Sequence, residues 1–599
     1  MDAGTVTLNI APEWFWGGVT LLGLALSSAL VFLATSPARR AKPLAIMPSI
    51  IAAAKLLTPI WILIFCAVLY GLWLVIFQFR QEMEGDNLRW HVLALVGLIT
   101  ALGGIIGAPL ALIRVFTTER QTKATEEGLL TDRINAGIIG LGTEKTVKLP
   151  KYDQEDHVGY VEQTQPNIEV RIGAILALER LAKNNLDVHI QIMEILTAYI
   201  RENAKASDAP PLLAPDGEPL PECPRFAADK AKGYKQELED WKEAHTTALE
   251  DEKSRADIQM AINVIGRRTE PQKSVERGGL PAFAKLGLIF PAYPKGGDKD
   301  SLEQWHSARQ TYRDKLSAWR TQPRPYVLDL RNCNLRNAHF ESGDLENARF
   351  YQSDLQGARL RNARLNGSDL AQARLEGANL RGAHLEGADL RRAHLEGADL
   401  WGARLEGAVL GEAHLEGADL REAHLEGADL REAHLEGAVL GEAHLEGAVL
   451  TEAQLEGAVL GEAHLEGADL RRAHLEGADL RRAHLEGADL WGAHLEGAVL
   501  GGAHLEGADL REAQFSDRTL LTAATLRGAA VRSVDFTNIP QIADHVADVF
   551  GDASVTLPGG HGATSDDWPD HWPKTELDYD EFETAWHSWQ ATLPPATDK

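Results

Sequence analysis

The sequence predicts a multidomain chain: membrane-spanning helices first, an α-helical middle region, and a solenoid of stacked short coils toward the C-terminus. Three observations carry this. A Leu or Phe falls at every fifth position from Leu330 to Phe515, usually with Ala two residues before it, as in Ala388-Asp389-Leu390-Arg391-Arg392 and Ala393-His394-Leu395-Glu396-Gly397. Three long apolar stretches, about 14–34, 56–79 and 91–116, precede everything else. Between these regions lie runs with apolar residues at helical spacing. The expected division is 1–120 for the membrane anchor, 121–325 for a cytoplasmic helical region with a Pro-rich linker near 205–224, 326–538 for the solenoid, and 539–599 for a cap and tail.

Each apolar stretch is long enough to cross a hydrocarbon layer of ~30 Å as a helix. Arg39, Arg40, Lys42 and Lys55 lie between the first two, and Arg114, Arg120 and Lys123 follow the third. Between the second and third, Arg80 and Arg89 are mixed with Glu82, Glu84 and Asp86. The positive-inside rule then places the N-terminus outside and the C-terminal part in the cytoplasm of a multi-pass inner-membrane protein. Trp14, Trp16 and Trp90 fall at the outer interface. Gly103 and Gly107 are spaced for close helix approach. No span carries an ionisable residue deep inside it, which argues against transport.

In the middle region, 117–142 reads as a helix leaving the membrane, followed by a polar gap. Val170 to Arg201 gives two amphipathic runs, Lys232 to Ile265 is charged and helical, and Ser301 to Trp319 is the last helix before the repeat.

A period of five fits neither a helix nor an alternating strand. It fits a chain that turns a corner every five residues and stacks each coil on the last. Ala and Leu are the inward pair, because they barely vary while Asp389 gives way to Val409 and Arg391 to Gly411. The other three residues of each unit are expected to face water.

These residues resemble the pentapeptide-repeat family, whose pattern is Ala-(Asp/Asn)-Leu-x-x, from roughly Leu328 to Thr537. The resemblance implies a right-handed quadrilateral β-helix with four pentapeptides per coil. A one-residue insertion falls near 516–520, and 541–550 is a candidate helical cap. With twenty residues per coil, His424, His444, His464, His484 and His504 stack in one column. A second column runs through His394, His414, His434, His474 and His494, interrupted by Gln454. The order of parts also resembles a bacterial, membrane-anchored subgroup with three N-terminal transmembrane helices. The residues that carry this are Val170-Arg171-Ile172-Gly173, Ala177-Leu178-Glu179-Arg180-Leu181, Asp257-Ile258-Gln259, Val264-Ile265-Gly266-Arg267-Arg268 and, in the tail, Phe550-Gly551-Asp552 with His571-Trp572-Pro573. That subgroup brings no established activity with it.

The net charge of -27 disfavours direct nucleic-acid binding. Cys66, Cys223 and Cys333 show neither zinc spacing nor a disulfide framework. No catalytic motif stands out, no cofactor is expected, and the chain reads as non-enzymatic. The leading expectation is a membrane-tethered scaffold that presents the rod to an unknown protein partner, with Trp401, Trp491, Arg471 and Arg481 as candidate interaction residues. One alternative follows from the resemblance: some family members mimic DNA and bind type II topoisomerases such as gyrase. Another is a metal- or pH-sensing surface, with the column from His424 to His504 as candidate ligands.

Overall fold

The computed structural model describes residues 47–79, 87–153, 156–214, 217–226, 231–250, 252, 254–294 and 299–594. The first apolar stretch, 14–34, with Trp14 and Trp16, lies outside them, as does the side chain of Trp90. The chain divides into two compact units, one ending at Arg133 and the other running from Ile134 to Lys599.

The first unit contains α1 (Met47–Phe79) and most of α2 (Asn87–Leu141). Among the described residues one segment, Pro59–Phe77, is long and apolar enough to span a bilayer, where two of the three expected spans fall. Its 19 residues rise roughly 28 Å, close to the ~30 Å of hydrocarbon. Leu63, Tyr70, Trp73 and Ile76 on it are exposed. The stretch 91–116 supplies only a shorter apolar run, Val92–Gly107. Helix α2 continues past it through the charged segment from Glu119 to Arg133.

The second unit opens with an antiparallel hairpin, β1 (Glu144–Asp153) and β2 (Asp156–Pro166), where the sequence suggested only a polar gap. It carries few apolar residues, and Leu149, Tyr160 and Val161 are exposed, so it lacks the in–out alternation that marks a half-buried strand. Next come α3 (Ile168–Asn184), α4 (His189–Asn203) and, after an interval, α5 (Ala231–Glu250), α6 (Ala256–Gly266), α7 (Glu270–Glu276) and α8 (Lys299–Arg320). Helices α3, α4 and α6 pack together around Ile175, Leu178, Ile192, Leu196, Ile262 and Ile265, all essentially inaccessible to solvent.

The motifs scattered through this region meet in space. Asp257 is fully buried and accepts hydrogen bonds from Arg255 (2.7 and 3.1 Å) and from the Tyr199 hydroxyl. Arg171 approaches it to 3.9 Å and donates to Asn203 and to the Thr143 carbonyl, joining three helices to the root of the hairpin. Burial pushes the Asp257 carboxyl up, but Arg255 and Tyr199 outweigh it and hold the group below its usual range. Glu179 is clamped by Arg267 through two bonds of 2.8 and 2.9 Å.

The repeat folds as the period demands. Parallel bridges join one residue of each pentapeptide to the residue twenty further on, from Asp329↔Arg349 to His494↔Gln514, so four pentapeptides close one coil. The Ala and Leu of every unit from Leu355 to Leu510, except where Ser368 replaces Ala, are 3% exposed or less. Each buried Leu stabilises the stack by roughly 2 kcal/mol before conformational entropy is counted. At the insertion the offset becomes twenty-one, as in Val499↔Leu520. There Ser516 Oγ accepts from Gly497 N, and Thr519 Oγ1 donates to the Leu495 carbonyl, replacing lost backbone pairing.

The ends differ from expectation. The coil does not stop at 538: Ala530 pairs with Phe550 and Asp535 with Thr556, so 541–550 completes a coil rather than forming a helical cap. The reason is Phe550, which sits inward against Phe582. The cover comes from α9 (Tyr579–Gln590) and the loop before it, with Trp586 Nε1 donating to the Gly528 carbonyl and Trp572 lying over Gly551. At the other end the Pro-rich segment is no free linker. Lys205 forms an antiparallel bridge with Cys333, and Ala206 N donates to the Asn332 carbonyl, which covers the first coil's open edge.

Candidate functional site

Each coil has four corners, made by the two residues that follow each Leu. On two opposite corners these residues are mostly Glu-Gly, and both lanes carry helices of the same chain. Along one, α5 lays Leu249, Trp241, Leu238 and Tyr234 over the glycines from Gly357 to Gly437. Along the other, Trp319, Leu316, Tyr312 and Trp305 of α8, with Phe290 and Tyr293 before it, cover Gly367 to Gly487. A helix rises about 5.4 Å per turn and the coils about 4.8 Å, so each helical turn meets one coil. The glycines are needed for close approach: a Cβ on Gly387 would lie 2.7 Å from Leu316, and one on Gly417 2.6 Å from Leu238. Backbone conformation alone does not demand them, because Gln372, Glu412 and Arg472 adopt the same left-handed φ of 55–56° at uncovered corners.

This overturns the expectation that three residues of every unit face water. Glu386, Glu396, Glu406, Glu416 and Glu436 are buried beneath the helices. The helical region is therefore part of the rod's surface rather than a separate spacer. Sequence reasoning missed α5 and α8 as wall elements. The repeated Glu-Gly every ten residues was the available signal.

The other two corners are open. One forms a groove of about 1060 Å³ lined by the second histidine column, Glu412, Glu432, Arg472 and Trp491. The other includes Trp401, Arg421, Glu442 and Arg481. The four candidate interaction residues lie on these corners, and each is engaged within the rod. Arg381 sits over the Trp401 ring and Arg472 over Trp491. Arg471 grips Asp469 (2.7 and 2.6 Å), and Arg481 grips Asp479 (2.7 and 2.5 Å).

The histidine columns form as expected. His424, His444, His464, His484 and His504 stack with ring centroids 4.8–4.9 Å apart and planes within 5° of parallel. In the second column the rings of His394, His414 and His434 stack at 4.6–4.7 Å, as do those of His474 and His494, on either side of Gln454. Nδ1 of His394, His424 and His474 lies 3.1–3.4 Å from the carboxylate two residues on. Groups such as His394, Glu396 and His414 bring ligand atoms within 4.8 Å of one another. Zinc requires convergent lone pairs at about 2.0–2.1 Å. Parallel rings with Nδ1 already facing a carboxylate suit a proton better than a metal ion.

Hydrogen bonds to the neighbouring glutamates raise the pKa of His394, His424, His434, His444, His464 and His474. Burial, reinforced by adjacent glutamates, pushes Glu456 up to about 7. Groups with raised folded pKa values bind protons preferentially in the folded state. The histidine contribution is complete below the unfolded value of about 6.5 and disappears as pH rises through the folded values. His245 opposes this. Burial, with Arg374 and Arg336 nearby, lowers it to about 4, so it disfavours the fold as pH falls below about 6.5. Burial beside Arg309 also lowers His306, and the six raised histidines outnumber these two. The melting temperature of the detergent-solubilised chain is expected to be a few degrees higher at pH 6 than at pH 8.5. Equal or greater stability at pH 8.5 contradicts the ladder.

Comparison with known proteins follows the same geometry. The repeat matches the family described as pentapeptide repeats, in eight copies that lie within 329–517. Among solved structures, HetL, a pentapeptide repeat protein involved in heterocyst differentiation regulation from the cyanobacterium Nostoc sp. strain PCC 7120, is 31% identical; the match covers 39% of this chain and 91% of HetL, with a TM-score of 0.30. Another pentapeptide repeat protein from Nostoc PCC 7120 is 37% identical over 15% of this chain and 69% of its own, with a TM-score of 0.12. Full-length QnrB1, a plasmid-mediated fluoroquinolone resistance protein, is 16% identical over 32% of this chain and 91% of its own, with a TM-score of 0.17. No curated protein matches the chain. The repeating Ala-x-Leu seam, the twenty-residue coil and the match to the pentapeptide-repeat family together place the chain in the pentapeptide-repeat protein family, whose fold is the right-handed β-helix.

Proposed function

We propose that this protein is a membrane-tethered interaction scaffold, anchored as a multi-pass protein of the cytoplasmic membrane with its rod in the cytoplasm. One observation carries the reading: the chain covers two opposite corners of the rod with its own helices and leaves the other two as long polar grooves. A surface that is half self-occupied and half free is a display surface. The exposed apolar segment Pro59–Phe77 supports the anchor. The basic residues Arg114, Arg120 and Lys123 support the orientation. DNA mimicry has less support, because Arg391, Arg421, Arg431 and Arg511 each pair with an aspartate and break up the acidic surface of the rod.

Fractionation tests the reading. The full chain is expected in the membrane pellet after alkaline carbonate washing, and the rod is expected to survive protease added to intact spheroplasts. Recovery in the wash removes the anchor, and loss of the rod reverses the orientation.

A further inference from the structure

We propose that the cavity where α6, α7 and the segment 324–328 meet the first coil of the rod binds a small monovalent inorganic anion of chloride size, which clasps the helical region to the rod.

The cavity holds about 30 Å³, room for about two water molecules or one ion of similar size. Three parts of the chain wall it: Arg268 and Lys273 from the helical region, Arg324 and Tyr326 from the segment entering the rod, and Asp344 and Glu346 from the first coil. Contacts between helices and rod already cross here. Arg268 donates to the Asp344 carbonyl, and both Glu346 carboxylate oxygens lie 3.2 Å from Phe283 N.

Two buried donors on these walls lack a hydrogen-bond partner, Nε of Arg268 and Nε of Arg324. The Arg268 side chain is only 5% exposed. The charges around the cavity also leave one cation over. Lys273 meets Asp344 at 2.8 Å, Arg268 meets Glu276 at 2.8 Å, and Arg277 meets Glu270 at 2.5 Å. Arg364 reaches Glu346 at 3.0 Å. Among the described residues no carboxylate pairs with Arg324. Its other nitrogens donate to the Gln322 and Trp319 carbonyls at 3.3 Å, and its guanidinium lies over the Trp319 ring. Burial disfavours its charge more than Glu346 supports it. Glu346 is itself reluctant to ionise, because it is buried and has Asp344 beside it.

A water molecule can accept from these donors but brings no charge. An anion accepts from them and supplies the negative charge that Arg324 lacks. The small volume sets the class: a halide-sized ion rather than a phosphate or the carboxylate of a metabolite.

The test melts the full-length protein in detergent, in sodium chloride or bromide against sodium gluconate at equal ionic strength, followed by tryptophan emission. The midpoint is expected to rise saturably by a few degrees with either halide and not with gluconate, which is too large to enter. Arg324→Gln should abolish the halide dependence. Arg482→Gln, on an open corner of the rod, should retain it. Crystals grown in bromide are expected to show anomalous scattering between Arg268 and Arg324. Equal melting in halide and gluconate overturns the proposal, as does a halide dependence that survives Arg324→Gln. Bromide found only elsewhere, an adventitious ion only, overturns it too. If Arg324→Gln does not fold, the bromide position in the parent protein decides.

Discussion

Gly387→Gln is expected to destabilise the protein far more than Gly477→Gln, although the two glycines share nearly the same φ, 65° and 67°. Both substitutions place an L-residue in the left-handed region, costing about 1–2 kcal/mol. Several coils already tolerate this, with Gln352, Glu432 and Arg482 in the same conformation. The difference lies above the turn. At Gly387 the new Cβ meets Leu316 at 2.7, 3.1 and 3.2 Å, and the rest of the side chain has nowhere to go. Overpacking adds about 1–3 kcal/mol, or α8 lifts from the rod and exposes Trp319, Leu316 and Tyr312, all buried in one cluster with Phe283. Denaturant titration followed by tryptophan emission measures both costs. If the two variants unfold at the same denaturant concentration, the glycine lanes are not helix seats.

Asp257→Ala is expected to unfold the three-helix bundle ahead of the rod. The carboxylate is wholly buried and faces Arg255, Arg171 and Tyr199. Arg171, with its side chain 6% exposed, would keep its charge in a dry site without its acidic partner. Removing one member of a buried ion pair costs about 3–5 kcal/mol. Glu179→Ala provides the contrast. Its partners Arg267 and Lys183 are 49% and 42% exposed, so losing the carboxylate leaves their charges in water and costs less than losing Asp257. Thermal melts with limited proteolysis between α3 and α6 resolve the two. An Asp257→Ala protein melting within a few degrees of the parent contradicts the network.

The bundle also shows how much of this molecule could be read in advance. Arg171, Glu179, Asp257 and Arg267 stood out as parts of motifs, but nothing in a single chain says that residues 80 or more positions apart are partners. The ion pairs exist because α3 and α6 pack side by side. The hairpin 144–166 was invisible for a different reason: it buries little, so it imposes no alternation on its residues. The rod's C-terminal boundary was misplaced because the last coil contains Phe550 and Thr556 instead of the Ala-Leu beat, and pairing to Ala530 and Asp535 defines it. The third apolar stretch, 91–116, lies within a continuous helix that runs on into a charged segment, and among the described residues its apolar run is Val92–Gly107.

The repeat determined its own architecture, because a five-residue period with two inward positions permits one kind of stack, and the histidine columns follow from twenty residues per coil. That much is local geometry repeated. Tertiary structure decided which corners are free. Glycine in the covered His-Leu-Glu-Gly units reads as a simple turn residue along the chain, yet on the folded protein it is a seat for a segment drawn from about 70 to about 200 residues away. Close packing between distant segments depends on contacts that no periodicity encodes, so the covered and open lanes of the rod emerged only when the helices were seen lying on it.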